Sequence, residues 1–200
     1  KICAGHCGQL INLSAIGNDC GISHNTAKSW LSLLETSFIV FKLQPYYKNF
    51  QKRLVKSHKL YFYDSGLVCN LLGIQSPQQL TNHYLRGGIF ESYIIAEIQK
   101  KILNHGQKPN LYFWQDKNKT EIDCIIEQGQ KITALEIKSG KTISPDYFKG
   151  LEKWRALQTN NISNNNKMLV IYAGDKLQKR SNIPILPWDQ VADCINFDSL

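Results

Sequence analysis

The sequence predicts a mixed α/β chain, α+β in layout, made of two small domains. Three observations predict it. Residues 120–127 and 131–138 alternate apolar and polar side chains around a glycine turn, residues 86–104 carry a helical apolar stripe suited to cover such a sheet, and the first 60 residues are basic and carry two helices joined by a short turn. At 200 residues, with 42% hydrophobic side chains, the chain is long enough for two packed cores.

Residues 13–20 read as a short helix, Gly21-Ile22-Ser23 as a turn with Ser23 as N-cap, and residues 24–36 as a second helix. Ala27, Trp30, Leu31 and Leu34 form the expected buried stripe of that second helix. His24, Asn25, Lys28, Ser29 and Ser32 are left facing outward. The pair resembles a helix-turn-helix, whose second helix would carry the recognition residues. Strand-like segments 38–43 and 60–63 follow. They flank Lys48, Lys52, Arg53, Lys56 and Lys59, interspersed with Tyr46, Tyr47 and Phe50, as in a winged helix.

The net charge of +8 is concentrated here, because residues 1–60 hold eight Lys/Arg against two Asp/Glu. A basic wing with aromatics suits a phosphate backbone, with affinity that falls as salt rises. DNA is therefore the expected partner, through His24, Asn25, Lys28 and Ser29 on the helix and Lys48, Lys52, Arg53 and Lys56 on the wing. The alternative is a solvated charged hairpin on a winged helix that binds protein. This module is expected over residues 1–63, with a connector over 64–85 that holds a short apolar helix entered at Asp64-Ser65-Gly66, Asp64 acting as its cap.

The second domain is expected over residues 86–200. Its helix at 86–104 places Glu91 within about 40° of Ile95, Ile98 and Ile102, on the stripe that faces the sheet. An inward carboxylate needs a partner, unless its place in the first turn leaves it to solvent and the helix dipole. Strands follow at 111–114, 120–127 and 131–138, then a helix at 144–157 and a strand at 167–173. A tight turn at Gln128-Gly129 would set Asp123 opposite Ala134. Glu136 would then be its diagonal neighbour on the same face, roughly 7 to 8 Å away at Cα, near enough for both carboxylates to share one cation. A slip of one residue would turn Asp123 to the apolar face unless a bulge compensated. Lys138 shares the face of Glu136. Two acids and a lysine so arranged suit metal-assisted phosphodiester chemistry, since a hard cation polarises a phosphoryl oxygen and activates water.

This order of helix, three strands, helix and strand, with Asp123 and Glu136-Ile137-Lys138 in place, resembles the PD-(D/E)xK nuclease superfamily, whose core is a restriction-endonuclease-like αβββαβ sandwich around a mixed sheet. The resemblance implies Mg²⁺ or Mn²⁺ held by Asp123 and Glu136, Glu91 as an accessory ligand, and Lys138 as the residue that positions water. Ile122 stands where the superfamily motif has proline. The phrases "IGNDCGISHNTAKSWLSLLE", "KLYFYDSGL", "LRGGIFESYIIAEI", "LYFWQDKNKTEIDCIIE" and "LEIKSGKT" together resemble the carboxy-terminal region of a bacterial and archaeal AAA-type ATPase family that carries a domain-of-unknown-function label. That resemblance implies an upstream ATPase module of the same polypeptide, through which alone ATP would act, and a DNA-associated role. It leaves two readings: a metal-dependent DNA endonuclease, or a catalytically silent nuclease fold serving the ATPase as a DNA- or protein-binding scaffold.

Other classes find no support. No apolar run approaches the ~20 residues of a membrane helix and no signal peptide opens the chain, so a cytoplasmic protein is expected. The six cysteines lack zinc-ribbon spacing and are expected as reduced thiols, with Cys20 and Cys124 on apolar faces. GxxxxGK[ST], HExxH and GxSxG motifs do not occur. The single methionine is Met168, and the opening residues read as the middle of a helical domain, so a piece of a longer protein is expected.

Overall fold

The computed structural model describes residues 1–46, 56–157 and 166–194. The chain divides into two compact units, Lys1–Gln44 with Ser57–Ala96 and Pro45–Lys56 with Glu97–Leu200.

In the first unit, α1 (Ile2–Gly5) precedes α2 (Leu13–Cys20) and α3 (His24–Thr36). Asn12 caps α2 by accepting the Ala15 N–H at 3.1 Å, and Ser23 caps α3 by accepting the Thr26 N–H at 3.1 Å. Gly21 closes α2 in the left-handed conformation, φ 66°. Strands β1 (Val40–Pro45) and β2 (Lys59–Phe62) pair antiparallel, Val40 opposite Phe62 and Leu43 opposite Lys59. The helices α4 (Ser65–Leu71) and α5 (Pro77–Asn82) then lead into α6 (Arg86–Asn104), within which the division between the units falls. Asp64 caps α4 through the Leu67 N–H at 3.1 Å, the expected role. Ser92 of α6 accepts the Phe62 N–H at 3.0 Å and donates to the Phe62 carbonyl at 3.1 Å, which ties the helix to β2. Ala4, Cys7, Leu31, Val40, Leu60, Phe62, Val68, Leu85 and Ile89 form the core of this unit.

Two expectations are corrected here. Trp30 was placed on the buried stripe of α3 but is 54% exposed; Ala27 and Leu31 are buried, and Leu34 packs against the same core. Lys59, read as part of the basic wing, is 3% exposed and starts β2.

The second unit is built on a mixed sheet with strand order β3-β4-β5-β6-β8-β7. Its strands are β3 (Leu111–Gln115), β4 (Glu121–Gln128), β5 (Lys131–Lys138), β6 (Lys167–Tyr172), β7 (Gln178–Arg180) and β8 (Ile183–Pro187). The first three run antiparallel in sequence. A 3-10 turn at Pro145–Phe148 and α7 (Lys149–Leu157) cross over so that β6 lies parallel to β5, and β8 lies parallel to β6. Trp114, Ile122, Ile125, Ala134, Phe148, Leu151, Trp154, Val170 and Tyr172 share one core. The Trp114 and Trp154 rings meet edge to face at 5.5 Å, an arrangement favoured by the aromatic quadrupole.

The sequence pattern missed β7 and β8. Pro184 and Pro187 interrupt the second of these, and proline argues against a strand on local grounds. Tertiary pairing overrides that, since Ile183 and Ile185 are fully buried and Gln178 to Arg180 pair along it.

Candidate active site

The hairpin β4–β5 carries the expected acids, in a register that differs from the expected one. Gln128 pairs with Lys131, Ile125 with Ala134 and Cys124 with Leu135. The two-residue loop is therefore Gly129-Gln130, with Gly129 at φ 61° in its first position, where a primed hairpin turn requires positive φ. The slip is two residues, so side-chain parity survives. Continuing this register brings Asp123 level with Glu136 instead of with Ala134.

A β-bulge sits at the same place. On its other edge β4 pairs Ile125 with Tyr112 but Ile122 with Trp114, so three steps along β4 match two along β3 and one extra residue lies at Asp123-Cys124. The bulge carries Ile122 to the face of Ile125, and both join one core, although strict alternation had grouped Ile122 with Cys124 and Ile126. Bulges re-aim side chains at sheet positions. Here the Asp123 carboxylate turns toward β5, where the Ile137 N–H donates to its Oδ2 at 2.7 Å.

Asp123 is 3% and Glu136 6% exposed, a costly place for two carboxylates. Lys138 reaches back over them, with its Nζ 2.5 Å from Glu136 Oε1 and 3.9 Å from Asp123 Oδ2. The same ammonium lies 5.9 Å from the centre of the Tyr147 ring. Glu136 Oε2 is buried and has no hydrogen-bond partner. Burial, and then the neighbouring Asp123 charge, push the Glu136 carboxyl up to about 8 against the opposing pull of Lys138. Gly150 of α7 lies close to that oxygen: a Cβ there would stand 3.5 Å from Oε2 and 2.4 Å from the Glu121 carbonyl oxygen. Glycine is therefore what lets α7 approach β4 this closely.

Two hard oxygen donors, one of them an orphaned carboxylate oxygen, fit a Mg²⁺ ion, which commonly takes one or two carboxylates and keeps several waters. Among the described residues no three His, Cys, Asp or Glu side chains form a metal-holding group, so the protein's share of such a shell would be the two carboxylates.

Glu91 belongs to the first unit. Lys59 Nζ donates to its Oε1 at 3.0 Å and the Tyr61 hydroxyl donates to the same oxygen, so the inward carboxylate has a cationic partner there. Of the expected DNA-facing residues, His24, Asn25, Lys28, Ser29 and Lys56 are exposed. Lys48, Lys52 and Arg53 lie outside the described residues.

Two lysines of α7 are held by partners away from the carboxylate pair. Lys149 meets Asp146 at 2.5 Å, and Lys153 meets Asp116 Oδ2 at 2.5 Å and Thr120 Oγ1 at 3.0 Å. Burial pushes the Asp116 carboxyl up, but Lys153 and the Thr120 and Asn118 N–H groups outweigh it and hold the carboxyl below its ordinary value. This clamp on the β3–β4 turn and the Tyr147 ring beside Lys138 had no signal in the spacing of the sequence. Cys20, expected on an apolar face, is exposed, whereas Cys124 is buried as expected. No helix among the described residues is long and apolar enough to cross a membrane.

Residues 86–191 match the family described as "Domain of unknown function (DUF4143)", and the chain belongs to it. That family is a carboxy-terminal region associated with AAA-type ATPases. Residues 1–78 match "Domain of unknown function (DUF8612)". Similar curated proteins include "Uncharacterized protein Rv2008c" of Mycobacterium tuberculosis and "Uncharacterized protein Mb2031c" of Mycobacterium bovis. Each is 25% identical over 195 residues, which is 96% of this chain but 42% of the relative. The chain thus spans about two fifths of the length of the relatives it matches.

Proposed function

We propose that this chain is the DNA-associated carboxy-terminal region of an AAA-type ATPase and carries a Mg²⁺-dependent nuclease-like site formed by Asp123, Glu136 and Lys138. The observation that carries the reading is the buried Glu136 Oε2, partnerless beside Asp123, with the Lys138 ammonium against the other oxygen. Such a pair is short of positive charge, and a divalent cation would supply it and, when bound, polarise a phosphoryl oxygen. Asp123, held by the Ile137 N–H, would keep its second oxygen for the cation. Lys138 would orient the attacking water and offset charge gathered at phosphorus. In this reading the exposed His24, Asn25, Lys28, Ser29 and Lys56 hold DNA, together with Lys48, Lys52 and Arg53.

A second reading keeps the fold but not the cleavage. In it Lys138 takes the place of the cation, the hairpin is a silent scaffold, and the ATPase uses this region to bind DNA or protein. The 2.5 Å Lys138–Glu136 contact and the pair of acids without a third favour it.

Calorimetric titration of Mg²⁺ and Mn²⁺ separates the two readings, with wild type compared against Asp123→Ala and Glu136→Ala and each protein then incubated with branched and linear DNA. Metal binding abolished by both substitutions, with cleavage that follows it, supports the nuclease. Absence of metal binding even with DNA present overturns it in favour of the scaffold.

A further inference from the structure

The first unit contains a cleft of about 860 Å³ between the start of α2, one edge of α3 and the β1–β2 pair. We propose that it is a binding site for a phosphate ester that carries a planar ring, a nucleotide either free or as one unit of a nucleic-acid strand.

Charge and shape both point to that class. His24 and Lys28 are four residues apart on α3, and so one turn apart on the same face. Lys42 of β1 and His58, just before β2, line the cleft with them. Glu35 is the one acid of the lining, and its carboxylate is 2.6 Å from Lys42. The Ser14 hydroxyl is 3.3 Å from His24 Nδ1 and steadies that ring. Leu10, Ile11, Leu13 and the buried Leu31 give the lining an apolar part. An inorganic anion would leave that part unused, whereas a pocket of this size with an apolar part and a few convergent polar groups suits a molecule of nucleotide dimensions. A duplex, a convex cylinder, would bridge such a cleft without filling it.

The site involves none of the hairpin carboxylates. It shares His24 and Lys28 with the DNA-binding reading above, but Asn25 and Ser29 are exposed on the same helix and do not line the cleft, so the two ideas can fail separately.

The test is titration of the 200-residue chain at fixed salt with adenosine 5′-monophosphate, inorganic phosphate and a short fluorescein-labelled oligothymidylate. Saturable binding of the mononucleotide or the oligonucleotide is expected, tighter than that of phosphate alone. Lys28→Ala should weaken it about tenfold, the scale of one charge-assisted hydrogen bond. Glu35→Gln releases Lys42 and should tighten binding several-fold, a gain that a misfolded variant cannot produce. Tighter mononucleotide binding assigns a free nucleotide, and tighter oligonucleotide binding assigns a strand. The proposal is overturned if neither binds, if phosphate alone binds as tightly, or if Lys28→Ala and Glu35→Gln leave the affinity unchanged. Oligonucleotide binding that is lost in Asn25→Ala or Ser29→Ala but indifferent to Glu35→Gln would also overturn the cleft, while leaving the DNA-binding reading standing.

Discussion

The Asp123 carboxylate accepts the Ile137 backbone N–H at 2.7 Å, so a side chain on the bulge of β4 stands in for a ladder carbonyl at the end of β5. Asp123→Ala and Asp123→Asn both remove the charge, but only asparagine keeps the acceptor. Alanine leaves a buried N–H unpaired, and it is expected to be less stable than asparagine by about 1–3 kcal/mol. Urea unfolding of the two variants checks this, and equal midpoints would show that the bond contributes nothing.

The pH dependence of stability follows from Glu136. Its carboxyl is raised from 4.5 to about 8 by burial and by Asp123. Below pH 4.5 it is protonated in both folded and unfolded chains. Between 4.5 and about 8 the folded chain holds a proton that the unfolded chain has shed, so the fold loses stability as pH rises through that window. Glu136→Gln cannot titrate. Its Tm relative to wild type is expected to climb from pH 5 to pH 8 and then level off, and a difference flat with pH contradicts the assignment.

Gly150 sets the distance between α7 and the hairpin. A Cβ at that position would lie 2.4 Å from the Glu121 carbonyl oxygen, a backbone atom that cannot rotate away. Gly150→Ala is expected to destabilise by about 1–3 kcal/mol through overpacking, read as a lowered Tm, even though alanine is the better helix former.

The Lys59–Glu91 pair, with Lys59 buried and Glu91 partly so, predicts a coupled response in the first unit. Glu91→Leu alone leaves the Lys59 ammonium buried without this carboxylate and should cost about 3 kcal/mol. Glu91→Leu combined with Lys59→Met removes both charges and should recover most of that loss. Denaturant unfolding of the two singles and the double measures the coupling, and additive effects would show that the pair is not one unit.

Thiol reactivity distinguishes the cysteines. Burial pushes the Cys7 thiol up to about 11, whereas Cys20 is exposed. Iodoacetamide at pH 8 is expected to alkylate Cys20 in the folded chain and to spare Cys7 until denaturant is added, which peptide mass spectrometry reads directly.

Much of the architecture was legible locally. The apolar stripe of α6 put Ile95, Ile98 and Ile102 inside, Ser23 and Asp64 marked helix starts, and period-two alternation found β4 and β5. Asp123, Glu136 and Lys138 were also brought onto one face by parity alone. The register between them was not legible, because a slip of two residues keeps every side chain on its own face and so leaves the hydrophobic pattern unchanged.

By itself the sequence determined the helices α2, α3, α6 and α7 and the strands β1 to β6, where the charge lies, and which polar residues share a strand face, because these depend on neighbours within a few positions. Only the tertiary structure decided that Asp123 comes level with Glu136, that a bulge re-aims it toward Ile137, that Glu91 pairs with Lys59, and that Pro184 and Pro187 lie in a strand. Each of these is set by a partner distant along the chain. The free energy of pairing and burial with that partner outweighs the local preference of the residue itself.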